Sequence, residues 1–366
     1  MKVALVHDYL IKLGGAERVL KVLADMFPEA PIYTLLYDEE LVGNIFEKKR
    51  VVPSSLQKLP KFIRKRNSLL LTKFPRAIEE FDLSEFDLVI ASSNSYAHGL
   101  VTSSDTLFVC YYHSPMRYIW DWYNEYFNDL GFGKLKRGIA KWLLHKIRIW
   151  DQLASERPDV MIANSETVKE RIEKYYKRDA EVIYPPVDIS RFKPAKEVSD
   201  YFLIVSTLTP YKRIDLAVEF FNKFGKKLVI VGEGKDKERL MAMAGPTIEF
   251  KGGLSDEEVA QMMAECRGFI FPGEEDFGIT PVEAMAAGRP VFAYGKGGVT
   301  ETVIDKKTGM FFDEPTVESF EAAFAKFLSF EKKFFKPEDA IKRAKDFSVE
   351  KFEKSLRKLV DQNMDM

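Results

Sequence analysis

Short apolar segments alternate with helix-like segments along the whole chain, and this alternation constrains the fold more than any other feature. Runs rich in Val, Ile and Leu that are separated by helices are typical of a parallel sheet covered on both faces. We therefore predict an α/β protein. The predicted strands are 3–6, 32–35, 87–91, 107–112, 159–163 and 181–184 in the first half, and 201–205, 228–231, 248–250, 268–271 and 290–293 in the second.

Two adjacent prolines, Pro185 and Pro186, separate the two halves of this pattern. Neither a strand nor a helix continues easily through such a pair. The chain has 366 residues, which is enough for two domains with separate cores. We predict an N-terminal domain over 1–185, a second domain over 186–347, and a last helix over 348–366.

The composition excludes several classes of protein. A net charge of -1 argues against general nucleic-acid binding, so we expect no nucleic-acid partner. The two cysteines, Cys110 and Cys266, lie in apolar runs, have no zinc-site spacing and form no disulfide framework. No apolar run approaches the roughly 18 residues of a membrane span, and the first residues carry Lys2 and Asp8, unlike a signal peptide. These features predict a cytoplasmic protein.

Basic and apolar residues are interleaved over 56–78. Such a run is often only the solvated face of a helix, but it also suits an anionic membrane surface or an anionic acceptor. A peripheral position at the inner membrane surface is therefore one expectation, and both interpretations stay open. The basic residues are Lys58, Lys61, Arg64, Lys65, Arg66, Lys73 and Arg76.

The segment 271–288 is predicted as a strand end, a loop and a helix that begins near Ile279 and ends before Gly288. Glu275 in the loop and Glu283 in the helix have seven residues between them. Free N–H groups at the start of a helix, together with its dipole, bind phosphate well. The groups in question belong to Gly278, Ile279 and Thr280. In the simpler interpretation, Glu283 only favours the helix dipole and Glu275 is a solvated acid.

The string from Glu275 to Val291 closely resembles the E-x7-E motif of the retaining glycosyltransferases of family 4. The resemblance implies the GT-B fold, in which two Rossmann-like domains face each other across a cleft and the C-terminal helix crosses back to the N-terminal domain. It also implies that Glu275 holds hydroxyl groups of the donor sugar and that Glu283 holds the ribose hydroxyls.

Two sites in the first half take part in the same resemblance. Gly14 and Gly15 follow the first strand and resemble the family's Gly-Gly turn near the donor diphosphate and the acceptor. Without the resemblance they predict only a tight turn, because the G-x-G-x-x-G pattern of dinucleotide sites is absent. His113 opens a His-Ser-Pro-Met-Arg-Tyr loop that resembles mannosyltransferase-like members, in which the histidine faces the donor sugar. It also follows a predicted strand, where open parallel sheets bind ligands.

In the second half, Lys212 matches the lysine that holds the diphosphate in the family. Thr207 stands where the family has an arginine, and either Arg213 compensates or the donor binds more weakly. Three weaker matches complete the predicted site. These are Gly232 and Glu233 near the nucleoside, Leu254 near the base, and 297–301 near the donor.

The resemblance implies a retaining glycosyltransferase that needs no metal and no other cofactor, with His113, Lys212 and Glu275 as the catalytic residues. We expect GDP-mannose as the donor and a glycan or lipid-linked glycan as the acceptor. In the family, closure of the two domains completes the site. Two alternatives stay open, a nucleotide-sugar 2-epimerase and a non-catalytic protein that binds nucleotide sugars.

Overall fold

The structure is a computed structural model that describes residues 1–121 and 134–364. It divides into two compact units. The first contains Met1–Tyr184 together with Glu353–Met366, and the second is Pro185–Phe352.

The described strands of the N-terminal unit form one seven-stranded parallel sheet in the order β3-β2-β1-β4-β5-β6-β7. Strands β1, β4 and β5 lie in its middle and are almost entirely buried, which explains their long apolar runs. The strands are β1 (Val3–Leu10), β2 (Ile32–Tyr37), β3 (Val51–Pro53), β4 (Leu88–Ser93), β5 (Leu107–Tyr112), β6 (Val160–Ala163) and β7 (Glu181–Val182).

Helices connect these parallel strands and cover the sheet. Ser165 caps one of them by accepting a hydrogen bond from the N–H of Val168. The described α-helices of this unit are Gly15–Met26, Glu39–Val42, Lys61–Arg64, Phe74–Glu79, Lys134–Ala154 and Glu166–Tyr176, and Val349–Met364 continues into it from the second unit.

The second unit contains a six-stranded parallel sheet in the order β10-β9-β8-β11-β12-β13. Its core is rich in phenylalanine, and Phe324 packs its ring against Phe202, Phe220 and Phe292. Such aromatic pairs add about 0.5–1.5 kcal/mol beyond their buried area. The strands are β8 (Tyr201–Val205), β9 (Lys227–Val231), β10 (Ile248–Gly252), β11 (Gly268–Phe271), β12 (Val291–Tyr294) and β13 (Gly309–Phe312).

The helices of the second unit begin at clear sequence signals. Ser255 and Glu258 form a reciprocal cap at the start of one helix, and Gly288 has a φ of 72° two residues after the end of another. The described α-helices are Ile214–Phe224, Lys237–Met243, Asp256–Glu265, Ile279–Ala286, Val299–Thr302, Val317–Lys333 and Pro337–Ala344.

Most strand predictions agree with the structure, and those for β5, β8 and β11 match it at both ends. Strands β3 and β13 were not predicted. The interpretation of 56–78 as one helix face is wrong, because the segment consists of four short helical pieces, of three to six residues each. Among the described residues, no helix has the length and apolar character needed to cross a membrane.

Candidate functional site

The predicted site residues of the C-terminal unit lie where strands β8 and β11 end. These strands are parallel neighbours, so the loops that follow them leave the same edge of the sheet. After β8 the chain forms a 3-10 helix, Pro210–Lys212, and after β11 it forms the loop that carries Glu275. The Nζ of Lys212 and the Oε1 of Glu275 form an ion pair. The structure thus brings two predicted site residues together.

Gly273 allows this close approach of the two loops. A Cβ at this position would lie 2.7 Å from both the Cα and the carbonyl oxygen of Lys212, and real Cβ atoms do not approach backbone so closely. The side chains of Lys212 and Glu275 are 12% and 25% exposed. Burial lowers the pKa of Lys212, but the charge and hydrogen bonding of Glu275 and Tyr211 together outweigh burial, so the pKa is raised above the ordinary value. Lys212 is therefore a fixed positive charge at neutral pH.

The helix Ile279–Ala286 begins just after this ion pair. Gly278 precedes it with a φ of 86°, a left-handed conformation that glycine adopts without strain. Gly278 has no side chain with which to cap the helix, so the first N–H groups are available for an anion. Glu283 lies one turn further along and is buried.

A second loop, after β12, supports the loop of Glu275. The N–H of Gly298 donates a hydrogen bond to the carbonyl oxygen of Glu275 at 2.9 Å. A Cβ at Gly298 would lie 2.2 Å from the carbonyl oxygen of Asp276, so only glycine fits. Lys296 pairs with Glu274 at 3.3 Å. The predicted turn at 297–301 therefore contacts the loop that carries Glu275 and supports it.

The remaining predicted residues of this unit follow β8, β9 and β10 at the same edge of the sheet. The N–H of Leu208 donates to the carbonyl oxygen of Glu233, and a Cβ at Gly232 would lie 1.9 Å from the carbonyl oxygen of Ser206. The loops of Thr207 and Gly232 are therefore packed together. Thr207 is exposed and Leu254 is half-buried.

Arg213, which directly follows Lys212, has an acidic neighbour of its own. Its backbone is left-handed, with a φ of 50°, and its guanidinium faces Asp215 at 3.4 Å. Glu233 likewise pairs with Lys237, at 2.8 Å. Among the described residues, the basic side chain that pairs with Glu275 is that of Lys212.

The predicted residues of the N-terminal unit lie at the ends of strands β1, β4 and β5. His113 directly follows β5, is buried, and places its Nε2 2.8 Å from the hydroxyl of Ser92. Ser92 also lies 3.1 Å from the Nδ1 of His7. Burial lowers the pKa of His113 to about 3, helped by the nearby His7 and opposed by Glu17, so its imidazole is neutral at physiological pH.

The Gly14–Gly15 turn is joined to the same group of residues. Gly14 precedes the helix Gly15–Met26, and its N–H donates to the Oε2 of Glu17 at 2.8 Å. The Oε1 of Glu17 lies 3.8 Å from the Nε2 of His7. Burial raises the pKa of Glu17, but the interactions with His7, the charge of Lys12 and a backbone N–H together outweigh burial, and the pKa is lowered.

Sequence reasoning missed His7, Glu17 and Ser92 as members of this group. For His7 and Ser92 the available signal was a polar residue at the end of an apolar run in β1 and in β4, whereas Glu17 lies in the helix after β1 and gave no such signal. It also missed Asp8, which is buried and whose carboxylate accepts hydrogen bonds from four successive N–H groups at 2.5–2.9 Å. Asp8 therefore fixes the turn 94–97 beside His7.

Within residues 1–121 and 134–364, no group of three or more His, Cys, Asp or Glu side chains is arranged to hold a metal ion. Both cysteines, Cys110 and Cys266, are buried free thiols.

Two family models match the chain. The model described as Glycosyltransferase Family 4 matches residues 13–191, and the one described as Glycosyl transferases group 1 matches residues 187–347. Among solved structures, HepE from Anabaena, determined in complex with UDP, covers 99% of this chain and is itself covered completely, with a TM-score of 0.68 and 18% identity. Sucrose-phosphate synthase from Thermosynechococcus elongatus gives a TM-score of 0.71 at 15% identity. These likenesses show the fold, which is GT-B.

Curated relatives include mannosyltransferases. The alpha-1,3/1,6-mannosyltransferase ALG2 of Dictyostelium discoideum is 25% identical over 50% of this chain and 56% of its own length. A GDP-mannose-dependent alpha-mannosyltransferase of Mycolicibacterium smegmatis is 37% identical over 32% of this chain and 31% of its own length. The chain thus matches from about a third to just over half the length of these two relatives. Since the two family models together match residues 13–347, the chain belongs to the group 1, family 4 glycosyltransferases and resembles their mannosyltransferase members.

Proposed function

We propose that this protein transfers a sugar from a nucleoside-diphosphate sugar to an acceptor hydroxyl, with the anomeric configuration retained and without a metal ion. The observation that carries the proposal is the ion pair of Lys212 and Glu275 beside the uncapped start of the helix Ile279–Ala286. A fixed positive charge and free N–H groups suit a diphosphate, and a carboxylate suits sugar hydroxyls.

The reaction breaks the bond between the sugar anomeric carbon and the diphosphate oxygen. A new bond forms from the same carbon to the acceptor oxygen, on the same face, and the acceptor proton passes to the leaving phosphate. The products are a nucleoside diphosphate and a glycoside. Negative charge develops on the leaving diphosphate, and preorganised positive groups stabilise it in the transition state.

Each predicted residue has a role in this proposal. Lys212 and the N–H groups of Gly278, Ile279 and Thr280 hold the diphosphate. Glu275 holds the sugar hydroxyls and Glu283 the ribose hydroxyls. From the N-terminal unit, His113 contacts the sugar, and Gly14 and Gly15 contact the donor or acceptor. The residues assigned to the nucleotide are Thr207, Arg213, Gly232, Glu233 and Leu254.

The ion pair also suits a site that must be stable before the donor arrives. Without ligand, Glu275 neutralises Lys212, so neither charge is left unpaired in a partly buried site. A donor offers phosphate oxygens to the lysine and hydroxyl donors to the glutamate. Both groups therefore exchange one partner for another on binding.

We propose mannose as the sugar and GDP-mannose as the donor. The support is that the relatives from Dictyostelium and Mycolicibacterium are described as mannosyltransferases, the latter as GDP-mannose-dependent. The acceptor we propose is a glycan or a lipid-linked glycan.

Product analysis tests the proposal. The protein is incubated with GDP-mannose and a panel of mannoside acceptors, with and without EDTA, and the products are followed by NMR. Formation of GDP and an α-mannoside in both conditions is the expected result. An epimerised sugar nucleotide indicates the 2-epimerase alternative, and binding without any product indicates a non-catalytic protein.

We also propose peripheral contact of the stretch 56–78 with an anionic membrane. Its side chains at Phe62 and Leu69 are 69% and 59% exposed, and the three basic residues at 64–66 lie between them in sequence. Exposed apolar groups flanked by positive charges bind anionic lipid surfaces. Other basic residues of the stretch, Lys61 and Arg76, pair with nearby acids.

Sedimentation with liposomes tests the membrane contact. We expect the protein to sediment with vesicles that contain an anionic lipid and much less with neutral vesicles, and we expect Phe62→Glu to reduce this binding. Leu41→Glu is the matched control, because Leu41 is also 59% exposed but follows the acidic residues Glu39 and Glu40. Equal, negligible sedimentation with both vesicles contradicts this proposal.

A further inference from the structure

Four buried polar side chains form a continuous series in the N-terminal unit, from the Gly14 turn to His113. In order they are Glu17, His7, Ser92 and His113, and each is at most 8% exposed. Glu17 accepts from the N–H of Gly14 at 2.8 Å and faces His7 Nε2 at 3.8 Å. The Ser92 hydroxyl lies between His7 Nδ1, at 3.1 Å, and His113 Nε2, at 2.8 Å.

The parallel sheet creates this series. His7 and Ser92 are paired residues of the neighbouring strands β1 and β4. His113 follows β5, and its N–H donates to the carbonyl oxygen of Ser93 at 2.8 Å, which continues the β4–β5 ladder. The ring of Tyr111 packs edge-on against His113, with 5.2 Å between the ring centroids. Neighbouring backbone and a packed ring therefore fix the position of the imidazole.

The direction of the hydrogen bonds along the series follows from the carboxylate. An ionised carboxylate only accepts hydrogen bonds. At 3.8 Å the Glu17–His7 contact is too long for a hydrogen bond, but an N–H dipole that points at the carboxylate is attracted and a nitrogen lone pair is repelled. In its neutral form, His7 therefore carries its proton on Nε2, and its Nδ1 accepts from the Ser92 hydroxyl.

The same reasoning continues to His113. The oxygen of Ser92 has donated its proton to His7, so it accepts from the second imidazole, and neutral His113 must carry its proton on Nε2. Its Nδ1 then has a free lone pair. Within the described part of the chain, the structure shows no hydrogen bond to that nitrogen.

We infer that Glu17, His7 and Ser92 act as positioning residues that hold His113 in its Nε2–H tautomer, so that its Nδ1 accepts a hydrogen bond from a hydroxyl of the bound ligand. The identity of that ligand as a sugar rests on the proposed function, whereas the assignment of the tautomer rests only on the contacts of the four side chains. A protonated His7 would reverse both hydrogen bonds of the Ser92 hydroxyl and turn Nδ1 of His113 into a donor, so the two states can be distinguished experimentally.

The chain has only four histidines, which makes the tautomer measurable by nitrogen NMR of histidine-labelled protein. The signals of His113 are assigned with the variant His113→Asn. We expect a protonated Nε2 and an unprotonated Nδ1 in the native protein at neutral pH. In Ser92→Ala and in Glu17→Gln we expect a mixture of both tautomers, because the hydroxyl link or the carboxylate charge is lost.

Ser93→Ala is the matched control. Ser93 is the adjacent residue of the same strand, is equally buried, and faces His98 Nδ1 at 3.4 Å on the other side of the sheet. It should leave the His113 spectrum unchanged, as should Ser92→Thr, which keeps the hydroxyl. A native His113 protonated on Nδ1 overturns the inference, and so does a Glu17→Gln variant that is folded by circular dichroism but has the native tautomer.

Fluorinated donors test the binding role. A fluorine atom in place of a sugar hydroxyl cannot donate a hydrogen bond. Among nucleotide sugars fluorinated at single positions, we expect one position to weaken binding at least tenfold in the native protein, and Ser92→Ala to reduce that difference several-fold. If every singly fluorinated donor binds as tightly as the parent donor, the binding role of His113 is wrong. If no nucleotide sugar binds at all, the proposed function fails, and the NMR result still decides the tautomer.

Discussion

Lys212 and Glu275 lie far apart in the sequence and form an ion pair at the end of the C-terminal sheet. The pair exists because β8 and β11 are neighbours and because Gly273 lets their loops come together. It places opposite charges beside an uncapped helix start. This arrangement is the structural basis of the proposed donor site.

Replacing Lys212 by methionine should lower both activity and stability. The variant loses a fixed charge near the developing diphosphate charge, so we expect kcat to fall about 100- to 1000-fold. It also leaves Glu275 without its partner, at a cost of about 1–3 kcal/mol in the free energy of unfolding. Steady-state kinetics and urea denaturation measure the two effects. Lys223→Met is the matched control, because Lys223 forms an exposed pair with Glu219 and should change neither quantity appreciably.

The stability of the protein should depend on pH through His113. Its pKa is about 3 in the folded protein, against 6.5 for an unperturbed histidine, with His7, Glu17 and Tyr111 around it. The unfolded chain therefore binds a proton that the folded chain does not, and stability falls as the pH drops below 6.5. The slope due to His113 is about 1.4 kcal/mol per pH unit.

Urea denaturation at a series of pH values between 7 and 4.5 checks this dependence. The variant His113→Asn should have a smaller slope over this range than the native protein, even if it is less stable at pH 7. Identical slopes for the two proteins would mean that His113 binds a proton as readily in the folded state as in the unfolded state, and would contradict the prediction.

Asp8 should be among the most important polar residues for stability. Its carboxylate accepts from the N–H groups of Asn94, Ser95, Tyr96 and Ala97. In Asp8→Asn, one of the two oxygens becomes an N–H₂ group that faces donors, so we expect a loss of about 3 kcal/mol or more in the free energy of unfolding. Asp105→Asn, at an exposed position, is the control and should change it by less than about 0.5 kcal/mol. A loss below 1 kcal/mol for Asp8→Asn would contradict the structure here.

The loop after β12 should affect donor binding because it supports the loop that carries Glu275. In Gly298→Ala, the new Cβ would meet the carbonyl oxygen of Asp276 and the Cα of Phe277, so the loop that carries Glu275 must move. We expect at least a tenfold rise in the dissociation constant for the donor, measured by calorimetry. Gly138→Ala is the control, because a Cβ there meets nothing within 4 Å and the residue is helical. Unchanged affinity in Gly298→Ala would show that this loop does not position the site.

The α/β class and most strands were predictable because strands and their ends are marked by neighbouring residues, namely apolar runs and the glycine or proline residues that end them. Strand β3 was missed because it has three residues and ends in Pro53, and β13 because it is a four-residue strand that contains Gly309. The helix start at Ile279 was predictable for the same local reasons. The 56–78 stretch was harder, since its basic residues do not indicate where its short helical turns begin and end.

Pairings between distant residues could not be predicted from the sequence without the resemblance. The contact of His7 with Ser92 requires that β1 lie next to β4, and that of Lys212 with Glu275 requires that β8 lie next to β11. Strand order is a property of the whole topology, and several orders are compatible with one alternating pattern. The polar residues of β1 and β4 were visible, but only the register shows that they meet.

The most direct test of the proposed donor site is a thermal-shift titration with a panel of sugar nucleotides, performed on the native protein, Lys212→Met and Glu283→Gln. A ligand at a hundredfold excess over its dissociation constant stabilises the folded protein by about 2.7 kcal/mol. We predict that GDP-mannose raises the melting temperature of the native protein and that both variants lose most of this shift. The proposal is contradicted if no sugar nucleotide raises the native melting temperature, or if both variants respond as the native protein does.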